Sequence, residues 1–328
     1  MGDFDKLVEK YKSVRKLSTE ELWKELYITK ICKDYITKMD NLQDVTIVIL
    51  TKNEEVNLPN CLKSVKGFAK RCVIVDSYSN DRTKEIALEY GADFYEHKFE
   101  NYARQFNWAL DNTDINTKWT FRLDADERLT PALCAELAKL MLVHDSDEVN
   151  GITMSAWLYF MGKKLKHNKK AKHKLMLFKT GIGRIEDRKM DEHTILSCGT
   201  SVMAHERFLH YDFKNMTFWI NKMNWYATRE MQDYFDYING KEAGIEGNDK
   251  GINTTRNRKF GIYYKMPIFL RAILLFLFTY FKEMRFLDGK EGFIYTFMYS
   301  CWYRLLVDSK IYEQMKFNKP FGKTGDLK

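Results

Sequence analysis

FRLDADERL, residues 121–129, is the stretch on which the reading of this chain turns. Trp119 to Leu123 enters it as an apolar segment of strand length, and three carboxylates follow, Asp124, Asp126 and Glu127. Successive strand residues point to opposite faces, so Asp124 and Asp126 converge on one centre only if the chain bends sharply. Such a bend makes a hard-oxygen site. One or two carboxylates, completed by water and phosphate oxygens, are the usual way to hold Mg²⁺ or Mn²⁺ on a nucleotide diphosphate. Alone, an Asp-x-Asp also fits a solvated loop before a helix, with Thr130 as N-cap and Pro131 in the first turn.

The flanking segments decide between these. Asp44 to Leu50 (DVTIVIL) and Arg71 to Val75 (RCVIV) are two further apolar runs of strand length. The first leads into Thr51-Lys52-Asn53-Glu54-Glu55 and a helical segment, Leu58 to Phe68. The second ends at Asp76 and leads through residues 77–83 into a helix reaching Tyr90. Runs apolar on both faces, alternating with helices, predict an α/β fold whose parallel sheet is covered on both sides. Ligands of such sheets sit beyond the carboxyl ends of the strands. Residues 51–55, 76–81 and 124–126 share that edge, which favours one site over three unrelated loops. There Asp76 is able to accept a bond from a uracil imide or a ribose hydroxyl, or else to cap its own turn. Asp81 reads as a cap with Thr83. In the helical segment Asn101 to Leu110, Arg104 and Asn107 lie three apart on one face, placed either to reach a diphosphate and brace the carboxylate loop or simply at the surface.

TIVILTKNEEVNL, VIVDSYSNDRTKEIA, the Arg104 to Asn107 helix and FRLDADERL, in this order and spacing, resemble the nucleotide-binding half of inverting family 2 glycosyltransferases of the GT-A fold. The likeness is strong over about residues 45–130 and looser to about 315. LHYDF (209–213) and RFLDGKEGF (285–293) are similar to segments of bacterial enzymes that build lipopolysaccharide core or other surface polysaccharide. The resemblance implies a Rossmann-like, mostly parallel sheet flanked by helices. It implies that Asp76 binds the base, and that Thr51, Asn53, Glu54, Arg104, Asn107, Asp124 and Ala125 surround a nucleotide sugar, a UDP-sugar being favoured. Asp124 and Asp126 become the metal and diphosphate motif, holding Mn²⁺ or Mg²⁺. One departure is Tyr78-Ser79-Asn80, where small residues and Thr are commoner; it is expected to alter loop packing more than chemistry.

The second half is then expected to bind the acceptor, a glycan or lipid-linked glycan that carries phosphate in one version of this reading. Gly151 to Phe160 and Lys174 to Lys179 are predicted strands. Between them KKLKHNKKAKHK (163–174) is either a solvated loop or an electropositive funnel. Without interleaved aromatic and Arg residues it does not suit nucleic acid. Inverting transfer needs one carboxylate to take the acceptor proton. In RKMDEHT (188–194) similar sequences often read His-Glu, which aligns Glu192 with that base and leaves Asp191 in reserve. The His-Tyr segment makes His210 the candidate third metal ligand, ahead of His205. Lys222 and Tyr226, on a predicted helix, are candidates to approach phosphate or acceptor.

The remaining segments divide the chain into an N-terminal helical extension (1–43), a catalytic domain (44–240, halved at 130) and a C-terminal region (241–328). Gly240 to Lys259 reads as a mobile loop over the donor or a plain linker. Ile262 to Phe281 is the most apolar stretch, but Lys265, Pro267 and Arg271 interrupt it, and Ala272 to Phe281 is too short to span a bilayer. It suits an interfacial helix on the membrane or a core helix, including one at a homodimer interface. The chain has 328 residues, 45% of them hydrophobic, and a net charge of +8, which suits anionic partners. Cys32, Cys61, Cys72, Cys134, Cys198 and Cys301 form no CxxC, and MGDFDKLVEKYK has no secretory h-region and no myristoylation signal. Together these predict a cytoplasmic protein at the inner face of the cell membrane. A sugar nucleotidyltransferase is the alternative enzyme class, although TKNEE is not its Gly-rich loop. A catalytically silent scaffold protein is the other alternative.

Overall fold

The computed structural model of the chain describes residues 42–167, 173–186, 193–211, 214–240, 259 and 261–317. The N-terminal extension, the Gly-rich segment 241–258, the pair Asp191 and Glu192, and the tip of the lysine-rich stretch lie outside the described residues.

The three apolar runs are adjacent parallel strands. β1 (Gln43–Thr51) lies between β2 (Ala69–Asp76) and β4 (Trp119–Asp124), with β3 (Asp93–Glu96) beyond β2. The sheet continues through β8 (Lys174–Lys179), β6 (Val149–Phe160), β11 (Thr200–His210) and the two-residue β5 (Glu127–Arg128). β6 and β11 pair parallel, whereas β8 runs antiparallel to both β4 and β6, and β5 antiparallel to β11. A short strand, β7 (Lys163–Lys164), pairs with the end of β6. The result is the mostly parallel α/β sheet expected of a GT-A fold.

Helices cover both faces, which is why β1 is apolar on both. Val45, Ile47 and Ile49 pack with α1 (Leu58–Val65), α2 (Thr83–Glu89) and α4 (Pro131–Val143). Val48 packs on the other face with Ala103, Phe106 and Ala109 of α3 (Tyr102–Asn112). Thr130 caps α4, accepting the Leu133 amide at 3.2 Å, and Pro131 follows it as predicted. Outside α3 lies a hairpin of β9 (Gly183–Ile185) and β10 (Thr194–Leu196). It sits so close to Phe178 that a Cβ on Gly183 would stand 2.3 Å from the ring.

A second core joins the end of β6 to α5 (Met216–Ile238) and α8 (Tyr303–Phe317) through Leu158, Phe160, Trp219, Met223, Val307 and Ile311. Between these helices the chain forms α6 (Leu270–Lys282) and α7 (Gly289–Phe297). The apolar stretch 262–281 is therefore not one helix. It breaks at Pro267, and Phe269 takes a positive φ of 69° before α6 starts. Arg271, which interrupts the apolar pattern in sequence, is 3% exposed and paired with the fully buried Asp308, Nη2 to Oδ1 2.5 Å. No described helix is long and apolar enough to cross a membrane.

Candidate active site

Strand register brings the carboxyl ends together. Thr51 pairs with Asp76 across β1 and β2, and Leu50 with Asp124 across β1 and β4. The loops after β1 and β2 are laced to each other. Thr51 Oγ1 and Ser79 Oγ each donate to Asp76 Oδ1 at 2.6 Å, and the Ser79 amide donates to Oδ2 at 2.6 Å. Asp76 is only 1% exposed as a result. Asn53 and Tyr78 take positive φ of 55° and 60°, a conformation that costs non-glycine residues energy. The lacing holds them there: the Asn53 amide donates to Ser79 Oγ, and the Asn80 amide to Asn53 Oδ1. The departure at residues 78–80 thus includes Ser79, whose amide and hydroxyl both donate to Asp76.

Glu54 turns inward. Lys214, at the start of the segment leading into α5, pairs with its Oε1 at 2.9 Å and with the Asn53 carbonyl at 2.8 Å. Burial pushes the Glu54 carboxyl above its usual range; Lys214 works against that shift, and the charge of nearby Asp126 adds to it.

The carboxylates of FRLDADERL separate into three roles. Asp124 Oδ1 accepts the Tyr102 hydroxyl at 2.8 Å, and that hydroxyl also accepts Arg122 Nε at 2.8 Å. The Arg122 guanidinium lies 4.4 Å over the Tyr102 ring. Glu127 is fully buried and braces the bend, accepting the Asp124 amide at 3.1 Å and Lys174 at 3.3 Å. Asp126 faces His210, with Oδ2 and Nε2 3.5 Å apart. Burial works to raise the Asp126 carboxyl, but His210, Lys222 and Lys174 outweigh it and hold the group well below the carboxylate range. Ala125 between them is buried.

Two expected residues sit differently. Arg104 is exposed on α3 and paired with Glu100 at 2.7 Å. Asn107 clamps β9: its Nδ2 donates to the Ile185 carbonyl at 2.8 Å and its Oδ1 accepts the Ile185 amide at 3.0 Å. Asn107 thus braces the β9–β10 hairpin rather than the carboxylate loop. That hairpin carries residues 187–192, and its neck is closed where Glu186 Oε1 meets His193 Nδ1 at 2.9 Å. Arg122 Nη1 reaches Thr194 Oγ1 at 3.5 Å, so the neck stands beside Asp124.

Tyr102, Arg122, Lys174 and Lys214 carry no motif signal, since each acts through a partner far away in sequence. Lys174 closes the predicted lysine run, and only its position at the start of β8 could have pointed to it.

A hard divalent ion binds ligands at about 2.1 Å, so neighbouring donors on it stand about 3 Å apart. Asp126 Oδ2 and His210 Nε2 stand close to two such positions, and Asp124, two residues away, has a side chain that is 30% exposed. Among the described residues no three His, Cys, Asp or Glu side chains form a complete cage. The donor set suits an open site that a diphosphate and water would complete.

Comparison with known proteins gives the family. The model for "Glycosyl transferase family 2" matches residues 46–209, half of the chain. The lipopolysaccharide core biosynthesis glycosyltransferase LpsC of Rhizobium meliloti (strain 1021) is 28% identical over 273 residues, 81% of this chain and 91% of LpsC. An uncharacterized glycosyltransferase of Rickettsia typhi, RT0209, is 27% identical over 121 residues, 37% of this chain and 41% of its own length. Residues 1–349 of Staphylococcus aureus TarS superpose over 85% of this chain and 93% of theirs at 11% identity, with a TM-score of 0.39, too low to establish a shared fold.

Proposed function

The chain belongs to glycosyl transferase family 2, and from that premise we propose that it moves a sugar, with inversion, from a nucleotide donor to a hydroxyl of a glycan or lipid-linked glycan. The observation that supports this is the strand register that sets Thr51 beside Asp76 and Leu50 beside Asp124, with Asp126 and His210 3.5 Å apart just beyond the same strand end. A UDP-sugar is the favoured donor. Asp76 Oδ2 accepts one hydrogen bond among the described residues and keeps a lone pair for a uracil imide, reached once residues 77–79 move aside.

Asp126, His210 and Asp124 would hold Mn²⁺ or Mg²⁺. When bound, the ion would neutralise charge developing on the departing diphosphate. Lys174 and Lys222 act on the same carboxylates and add to the positive field there, and Lys214 pairs with the neighbouring Glu54. Glu192, with Asp191 in reserve, would take the acceptor proton. The hairpin that bears them is keyed to Asp124 through Arg122 and Thr194. The lipopolysaccharide role of LpsC supports an acceptor in surface polysaccharide synthesis.

We also propose that α6 rests on the cytoplasmic face of a membrane. Leu270, Ile273, Leu274, Leu277, Phe278 and Phe281 are exposed, at 42–61%, at helical spacing along one face. Lys282 and Lys290 flank it, suiting anionic headgroups. A panel of nucleotide sugars offered to the purified chain tests the catalytic reading. It predicts slow donor hydrolysis with one UDP-sugar and an inverted anomer by NMR, both lost in Glu192→Gln. A retained anomer, or nucleoside triphosphate consumed in place of every donor, would refute it.

A further inference from the structure

Two residues beyond Asp126, Arg128 forms part of the wall of a cleft of about 410 Å³. The cleft opens between the C-terminal end of α1, the start of α4 and the end of β11. Its floor is apolar, from Phe68, Leu129 and Leu209, and its charged lining residues are all cations: Lys63, Lys66 and Arg128. Like charges around one concavity repel each other and focus a positive potential. Such a grouping costs stability unless an anion joins it.

Arg128 gives the cleft its specificity. Its guanidinium lies 3.7 Å over the Tyr211 ring, which is itself stacked on Tyr159 with centroids 4.4 Å apart. Stacking fixes the plane of the fork, yet among the described residues no protein acceptor takes its N–H groups. A preoriented guanidinium with two flexible ammonium groups at the rim is the donor set that recognises phosphate. The cleft is also coupled to the site already described, since the Tyr211 amide donates to the Asp126 carbonyl at 2.8 Å. It is distinct from the lysine-rich stretch 163–174.

We propose that this cleft is a subsite for a phosphate group carried on the sugar acceptor, with Arg128 as its bidentate ligand. The idea rests on the glycosyltransferase reading, which supplies the need for an acceptor next to Asp126. Calorimetric titration of the full chain with glucose 6-phosphate, inorganic phosphate and glucose, beside UDP with Mn²⁺, tests it. Glucose 6-phosphate is expected to bind more tightly than inorganic phosphate, and glucose not at all. Arg128→Gln should weaken glucose 6-phosphate about ten-fold or more and leave UDP within about two-fold. The exposed pair Lys63→Gln and Lys66→Gln, which leaves the core untouched, should weaken it about three-fold and reduce its salt dependence. Binding that is unchanged in both variants, or absent from a chain that binds UDP, overturns the subsite alone. Glucose 6-phosphate binding lost in Arg128→Gln but without any UDP binding would keep the phosphate site and reject the donor reading instead.

Discussion

At the carboxyl edge of the sheet, Asp76 and Glu127 are buried but their charged neighbours stay within reach of solvent over an apolar core: Asp124 is 30% exposed, His210 25% and Lys174 39%. Among the C-terminal helices the order is reversed. There the ions are inside, Arg271 at 3%, Asp308 at 0% and Glu230 at 4%, while leucine and phenylalanine side chains of α6 lie outside. The first region keeps its charges where a ligand can meet them. The second spends its charges on architecture and turns its apolar surface outward. Buried ion pairs are costly to desolvate and stabilise only when fully hydrogen-bonded; the Arg271–Asp308 hub meets that condition, whereas the Glu230 hub leaves Arg304 Nε buried without a partner among the described residues. Asp308 accepts from the Phe269 amide and from Arg271 Nε and Nη2; Glu230 accepts from the Tyr303 and Tyr264 hydroxyls and from Arg304.

The largest effect should come from breaking one of those hubs. Asp308→Ala leaves Arg271 charged and buried, and should destabilise the C-terminal helices by about 3–5 kcal/mol. Urea unfolding followed by tryptophan fluorescence reads this; a loss below 1 kcal/mol would mean that the pair is not an organising contact.

A comparable loss should appear in acid. Burial favours the neutral form of Glu230, but Arg304 and Lys259, with the two tyrosine hydroxyls, override it and bring its carboxyl from 4.5 down to about 2. A depressed carboxylate stabilises above its unfolded value and loses that contribution as pH falls toward the folded one. The term is about 3 kcal/mol, and it should fade between pH 4.5 and 2. Glu230→Gln should lower stability at neutral pH and flatten the acid limb; an unaltered acid limb would contradict the assignment.

At the carboxyl edge, single changes should act on binding more than on folding. Tyr102→Phe removes the hydroxyl shared by Asp124 and Arg122 and should cost about 1–2 kcal/mol in stability. By freeing Asp124 to turn, it should weaken Mn²⁺ about ten-fold. Mn²⁺ relaxation measurements read the second effect; unchanged affinity would make Tyr102 purely structural.

The smallest effect on stability should come from Leu277→Glu, at a position 42% exposed. A shift within about 0.5 kcal/mol is expected, together with loss of flotation on vesicles containing anionic lipid. Equal flotation of the variant and the original chain would remove the membrane contact.

The same contrast explains what the sequence could disclose. β1, β2 and β4 were legible because buried parallel strands are written as unbroken apolar runs, and Thr130-Pro131 marked the start of α4. Lys174 to Lys179 is the predicted strand to the residue. β11 was not legible, since the polar and charged positions His205, Glu206 and Arg207 hide its alternation. At the proposed site, Asp76, Asp124, Asp126 and His210 were singled out through motif, strand position and family resemblance. Their partners Tyr102, Arg122 and Lys214 were not, because a contact across 20 or 161 residues leaves no local pattern. In the C-terminal region, Arg271 looked like an interruption of an apolar helix, and only Asp308, 37 residues away, gives it meaning.

The account stands on a divalent ion and a nucleoside diphosphate meeting at Asp126, and calorimetric titration of UDP with and without Mn²⁺ measures that directly. Binding should depend on the ion and weaken at least 100-fold in Asp126→Ala, with the melting temperature little changed. UDP affinity that is indifferent to Mn²⁺ and to Asp126 would contradict it.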